Sequence, residues 1–126
     1  MGEADIRQYA VHARSTDTFG RVLCNAGHHY FVVDGPIQNG CPGEAITPAD
    51  LFLSGVAACG VELVQVLAKA QNVPLERVSV NISGVIDRGN PVRKDLSVFN
   101  SVRLEFLLEG VTVEQAHSLI DGFKAR

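Results

Sequence analysis

Cysteine supplies the only obvious nucleophiles of this chain, and it occurs three times, as Cys24, Cys41 and Cys59. Cys59 stands in the middle of a long apolar segment. A cysteine there is either a small inert hydrophobe in a packed helix or a thiolate nucleophile. A reactive thiol needs help to ionise, because an ordinary one has a pKa of about 8.5. The helix dipole acts only over the first turn, so a nearby cation has to provide that help. Asp50 precedes Cys59 by nine residues, about two and a half helical turns. The two therefore lie on nearly opposite faces of one helix, roughly 13–14 Å apart in rise. They could share a site only across a dimer. Alternatively, Asp50 is a first-turn carboxylate paired with the helix dipole.

Other candidates carry less. Cys24 on a strand and Cys41 in a loop could resolve an oxidised Cys59 only if the fold brought them close. His28 and His29 are adjacent on a strand and point to opposite faces. They do not make a shared metal site, and no Cys/His spacing resembles a zinc site. Glu62 and Gln65 interrupt the apolar helix, either lining a polar pocket or reaching to water at its edge. There is no phosphate-binding Gly-rich loop, no GxSxG elbow and no HExxH. No metal and no cofactor is expected.

These residues need elements to hold them. Thr47 and Pro48 read as N-cap and first helical residue. The helix they open runs to Ala70, with only Asp50, Ser54, Glu62, Gln65 and Lys69 polar along it. A helix apolar nearly all round must be buried nearly all round. A chain of 126 residues can seldom wrap such a helix alone, so a second subunit is expected to cover part of it. Before it, Ile6 to Arg14, Arg21 to Cys24 and His29 to Val33 read as strands, with a hairpin turn at Asn25-Ala26-Gly27. After it, Asn72-Val73-Pro74 ends the helix. Val78 to Ser83 alternates as a half-buried strand. A charged loop (Arg88, Arg93, Lys94, Asp95) leads to a strand from Ser101 to Leu108. Thr112 and Gln115 form a capping box. It opens a second helix with Val113, Ala116, Leu119, Ile120 and Phe123 on the buried face. Three strands, a helix, two strands and a helix make an α+β order, not alternating βαβ units.

Composition excludes several classes. Lys plus Arg is 11 and Asp plus Glu is 14, for a net charge of −3. With 46% hydrophobic and 20% charged residues, the chain is a globular domain and not a disordered one. It has no basic run for nucleic acid or an anionic membrane. Three cysteines do not make a disulfide-stapled secreted scaffold. The N-terminus, Met1-Gly2-Glu3-Ala4-Asp5, is not a signal peptide. The uninterrupted apolar run, Leu51 to Val61 with Ser54, is about half of the roughly 20 residues that span a bilayer. The expectation is a soluble cytoplasmic protein.

The segment TPADLFLSGVAACG, Thr47 to Gly60, resembles the OsmC family of peroxide-defence proteins, which includes the organic hydroperoxide reductases. That family shows a Pro, an acidic residue one or two positions on, an apolar helix, and a Cys eleven positions after the Pro. Pro48, Asp50 and Cys59 match. His28 to Asp34, followed by a Gly-rich loop, resembles the family's third strand. The resemblance implies an antiparallel sheet packed on a long buried central helix, in an intertwined homodimer with two sites at its interface. It implies catalytic roles for Cys59 and for Asp50, the latter orienting an Arg. It implies a thiol peroxidase that reduces organic hydroperoxides, becomes a sulfenic acid and is restored by a thiol reductant. Two features depart from the pattern. The family's peroxidases carry a second Cys just after the last helix, about where this chain ends at Arg126. The reading is thus one OsmC-like domain over residues 1–126 without the family's C-terminal segment. The peroxidases also place an Arg on an early strand, and Thr18 stands nearer that position than Arg14 or Arg21. The rival expectation is a non-catalytic OsmC-like dimer that binds a small apolar ligand or a protein partner.

Overall fold

In a computed structural model of the chain, residues 6–95 and 98–125 are described. Met1 to Asp5 and Arg126, both used in the sequence reading, lie outside them. The chain divides into two compact units, Met1–Leu51 and Phe52–Arg126.

The first unit holds a three-stranded antiparallel meander: β1 (Val11–Ser15), β2 (Arg21–Ala26) and β3 (His29–Asp34), in the order β1-β2-β3. The β2–β3 turn is Gly27-His28, because Ala26 pairs with His29. Its first residue is Gly27 with φ +61°, where a two-residue type II′ hairpin takes glycine. The expected first strand was longer, from Ile6. Register explains its loss: Val11 already pairs with Ala26, the last residue of β2. Residues 6–10 therefore have no strand left to pair with. Cys24 faces the buried side of this sheet, paired with Ala13 and Phe31.

α1 spans Pro48–Ala70 without a break. It ends where expected, through Asn72 in the left-handed region at φ 56°. Val73 N–H donates to Ala68 O at 2.9 Å and Asn72 N–H to Lys69 O at 3.3 Å, a Schellman-type closure that satisfies the last carbonyls. At 23 residues, α1 is long and apolar enough to cross a membrane by length and composition alone. The uninterrupted run used in the sequence reading understated it. Yet one stripe of α1, Gly60, Val64 and Ala68, is buried within the protein.

That stripe packs in the second unit. β4 (Arg77–Val85) and β5 (Ser101–Glu109) form an antiparallel pair, and α2 spans Val113–Lys124. β4 alternates exposed and half-buried as the sequence predicts. Val78, Phe106 and Leu108 surround the core of Val64, Ala68 and Leu119, with Leu67, Val73, Leu75 and Phe123. The Phe106 and Phe123 rings meet at 5.4 Å between centroids. α2 opens with the expected capping box: Gln115 N–H donates to Thr112 Oγ1 at 3.1 Å, and Thr112 N–H to Gln115 Oε1 at 3.0 Å. Val113, expected on the buried face of α2, is instead 73% exposed; it is the first residue of the helix.

Candidate functional site

Cys59 belongs to α1, which is anchored at both ends. At the start, Thr47 Oγ1 accepts the Asp50 N–H at 3.3 Å and donates to Asp50 Oδ2 at 2.8 Å. Asp50 therefore sits in the first turn, where its carboxylate favours the N-terminal dipole. The nine-residue separation from Cys59 runs along one unbroken helix. Gly60 sets the rotation of the helix near the sulfur. A Cβ at Gly60 would lie 3.3 Å from the Phe106 ring, so this side of α1 rests close on β5. Cys59, one residue earlier, is exposed.

The exposed cysteine lies on a seam. Phe52, Cys59 and Val66 are seven residues apart, which keeps them within about 20° per step on one helix face. Phe52 is 58% exposed and Val66 46%. Phe99 stacks on Phe52 at 5.7 Å. Glu62 and Gln65 are exposed as well, reaching water at the helix edge and not lining an interior pocket. The expectation of a helix buried on nearly every side therefore needs restating for a single chain: three of its residues are buried, and an apolar face bearing the thiol is open.

A second cluster escaped the sequence reading. Asp34, at the end of β3, is fully buried. Its carboxylate accepts Arg21 Nε at 2.8 Å and Arg21 Nη2 at 2.9 Å. It also accepts the N–H groups of Glu44 at 3.0 Å and Ala45 at 2.8 Å. Arg21 Nη2 reaches Glu44 Oε1 at 2.7 Å. The Asp34 N–H donates to Ile46 O at 3.1 Å. Residues 44–46 are thereby strapped to β3 just before Thr47 caps α1. The two-pronged bond from Arg21 holds the Asp34 carboxyl well below the usual carboxylate range, helped by the two backbone N–H groups against the cost of burial. The same bonds raise the Arg21 guanidinium further above its ordinary value. Arg21 is therefore committed to two carboxylates. Arg14 is exposed and donates to Ser15 O at 3.4 Å. Among the described residues, no cation is hydrogen-bonded to the Cys59 sulfur.

The other sulfurs are placed differently. All three cysteines are free. Cys24 is buried in the sheet. Cys41 fills a notch in the loop after β3, where a Cβ on either Gly20 or Gly35 would overlap its side chain. Among the described residues, no three His, Cys, Asp or Glu side chains gather as metal ligands would.

Comparison with known proteins joins these observations to a family. The sequence model for OsmC-like protein matches residues 41–126. That span holds Asp50, Cys59 and every element from α1 onward.

The chain belongs to the OsmC-like family.

Solved structures agree on the fold. An OsmC-like protein from Mycoplasma pneumoniae superposes with a TM-score of 0.79 at 17% identity, covering 95% of this chain and 82% of that one. An organic hydroperoxide resistance protein from Legionella pneumophila gives 0.74 at 21% identity, covering 97% and 85%. One from Elizabethkingia anophelis gives 0.75 at 20% identity, covering 99% and 85%. No curated protein matches the chain. Family and fold thus carry the α+β expectation.

Proposed function

We propose that this OsmC-like chain is a thiol peroxidase that reduces organic hydroperoxides through Cys59 and works as a homodimer. One observation carries the reading: the family's helix cysteine is exposed here on an apolar seam between Phe52 and Val66. An alkyl or aryl hydroperoxide has an apolar body to lie on such a seam and a polar O–O bond to offer the sulfur. The Cys59 thiolate attacks the terminal peroxide oxygen. The S–O bond forms and the O–O bond breaks. The leaving alkoxide takes a proton to become the alcohol, and the sulfur is left as a sulfenic acid. An external thiol then condenses with the sulfenic acid, releasing water. A second thiol reduces the mixed disulfide and regenerates Cys59. In this reading a second protomer covers the seam, and the cation that ionises the sulfur comes from the assembled dimer.

Intact-mass spectrometry after one equivalent of cumene hydroperoxide tests the chemistry. Wild type gains one oxygen faster than a free thiol does, and Cys59→Ser does not. Oxidation at the rate of a free thiol sinks the proposal. The dimer has its own test. Sedimentation is expected to give a dimer at micromolar concentration, and Val66→Arg a monomer, since a cation on an apolar seam must be desolvated on association. A folded wild-type monomer would contradict it.

A second reading has support from Arg21. Its guanidinium is held by Asp34 and Glu44, and Thr18 stands nearer the position of the family's Arg than Arg14 or Arg21 does. A non-catalytic OsmC-like dimer binding a small apolar ligand at the same seam fits that arrangement. Peroxide consumed with turnover would remove this reading.

A further inference from the structure

The charged loop between β4 and β5 has no part in the chemistry proposed for Cys59, yet it lines an open surface cleft. The cleft measures about 390 Å³ and is lined by Ile86, Arg88, Pro91, Lys94, Val98 and Asn100, together with Asp87 and Arg93. That volume lies within the range of small-molecule sites, roughly 300–1,000 Å³.

Its chemistry is lopsided. Three cations and one carboxylate line it, in a chain whose net charge is −3. Arg93 is engaged by Asp95, with Nε 3.0 Å from Oδ1. Asp87 Oδ1 accepts the Gly89 N–H at 3.0 Å. Among the described residues, Arg88 and Lys94 have no ion-pair partner. Ile86, Pro91 and Val98 supply apolar surface beside these two charges.

The walls are also built. Asn100 Oδ1 accepts the Asp87 N–H at 2.7 Å, and Asn100 Nδ2 donates to Asn90 O at 2.8 Å. The Asn100 N–H donates to Val85 O at 2.7 Å, and the Asn90 N–H to Asp87 O at 3.2 Å. One side chain thus ties residues 87–90 to the start of β5. A braced cleft loses less freedom on binding than a loose loop does.

We infer that this cleft, formed by residues 86–94 and 98–100, is a binding site for an organic monoanion with a short apolar body, such as a medium-chain carboxylate. Arg88 and Lys94 face the carboxylate, and Ile86, Pro91 and Val98 take the alkyl chain. The inference stands whether or not Cys59 is catalytic.

Octanoate is the probe, titrated at low salt into the isotopically labelled full chain and followed by backbone amide NMR. Saturable shifts are expected at residues 86–94 and 98–100, with a sub-millimolar Kd. High salt and the Arg88→Gln/Lys94→Gln variant should each weaken binding about fivefold or more, as exposed charge contacts are screened or removed. Asn100→Ala, which removes no charge, should weaken it by loosening the walls. Hexanol, lacking the anion, and acetate, lacking the chain, should not saturate. The proposal is overturned if octanoate gives no saturable shift, if the double variant binds as tightly as wild type with its β4–β5 amides unmoved, or if the shifts fall on the α1 seam instead.

Discussion

Asp34→Asn is expected to lower the thermal midpoint by roughly 10 °C, the larger of the two polar effects at this cluster. The buried carboxylate, at the end of β3, gathers four donors from two other segments, β2 and the approach to α1. An amide keeps the shape but presents one acceptor oxygen and two N–H groups toward donors, so the Arg21 cation loses its compensating charge. Glu44→Gln is the control. Glu44 is 77% exposed, and exposed pairs contribute little, so its midpoint should move by only about a degree or two. Asp34→Asn should also differ from wild type in its response to acid. Asp34 is held below its ordinary value of 3.8, so its contribution is fully present above that value. It is lost as pH falls toward the depressed folded-state value. The wild type should therefore converge on Asp34→Asn below about pH 4. Thermal melts across that range check this. Parallel curves for Asp34→Asn and wild type would mean that the carboxylate is not the fastener described.

Leu119→Ala should cost about 3 kcal/mol, within the usual range for a buried leucine. Leu119 and Val64 are fully buried, and Ala68 is 3% exposed. The truncation opens a cavity where α2 meets α1. Set against a typical domain stability of about 5–15 kcal/mol, that is a large share. Urea denaturation measures it. His117→Ala, at an exposed position on the same helix, should stay within about 0.5 kcal/mol of wild type. The seam around Cys59 lies on another face of α1, so the peroxide reactivity proposed for it should survive, per folded molecule, the Leu119 change.

Local rules and long-range contacts were not equally legible in the sequence. Thr47 as cap of α1, the Thr112–Gln115 box and the alternation from Val78 to Ser83 each involve residues within a few positions of one another, and propensity and period report them directly. The β2–β3 turn was placed early because Asn25-Ala26-Gly27 and Gly27-His28 both contain the glycine, and only the pairing register chooses between them. Cys59 and Asp50 stand out as candidates because their spacing falls within a motif on one helix. The Arg21–Asp34 bond spans 13 residues and the Arg21–Glu44 bond 23. Nothing in a local pattern marks Asp34 as an acceptor for a distant guanidinium and two backbone amides. Its position before Gly35-Pro36 reads as an ordinary strand end. The exposure of α1 likewise follows from what packs against it, which hydrophobicity alone does not specify.

Phe52, Cys59 and Val66 occupy one line along α1, and the helix pitch fixes the sulfur between the two hydrocarbons. Any body that shields the flanking side chains must also wall off the thiol from bulk water. In the proposed dimer, reactivity and self-association would then obey mass action together, and dilution would act on the chemistry without any reagent touching the sulfur.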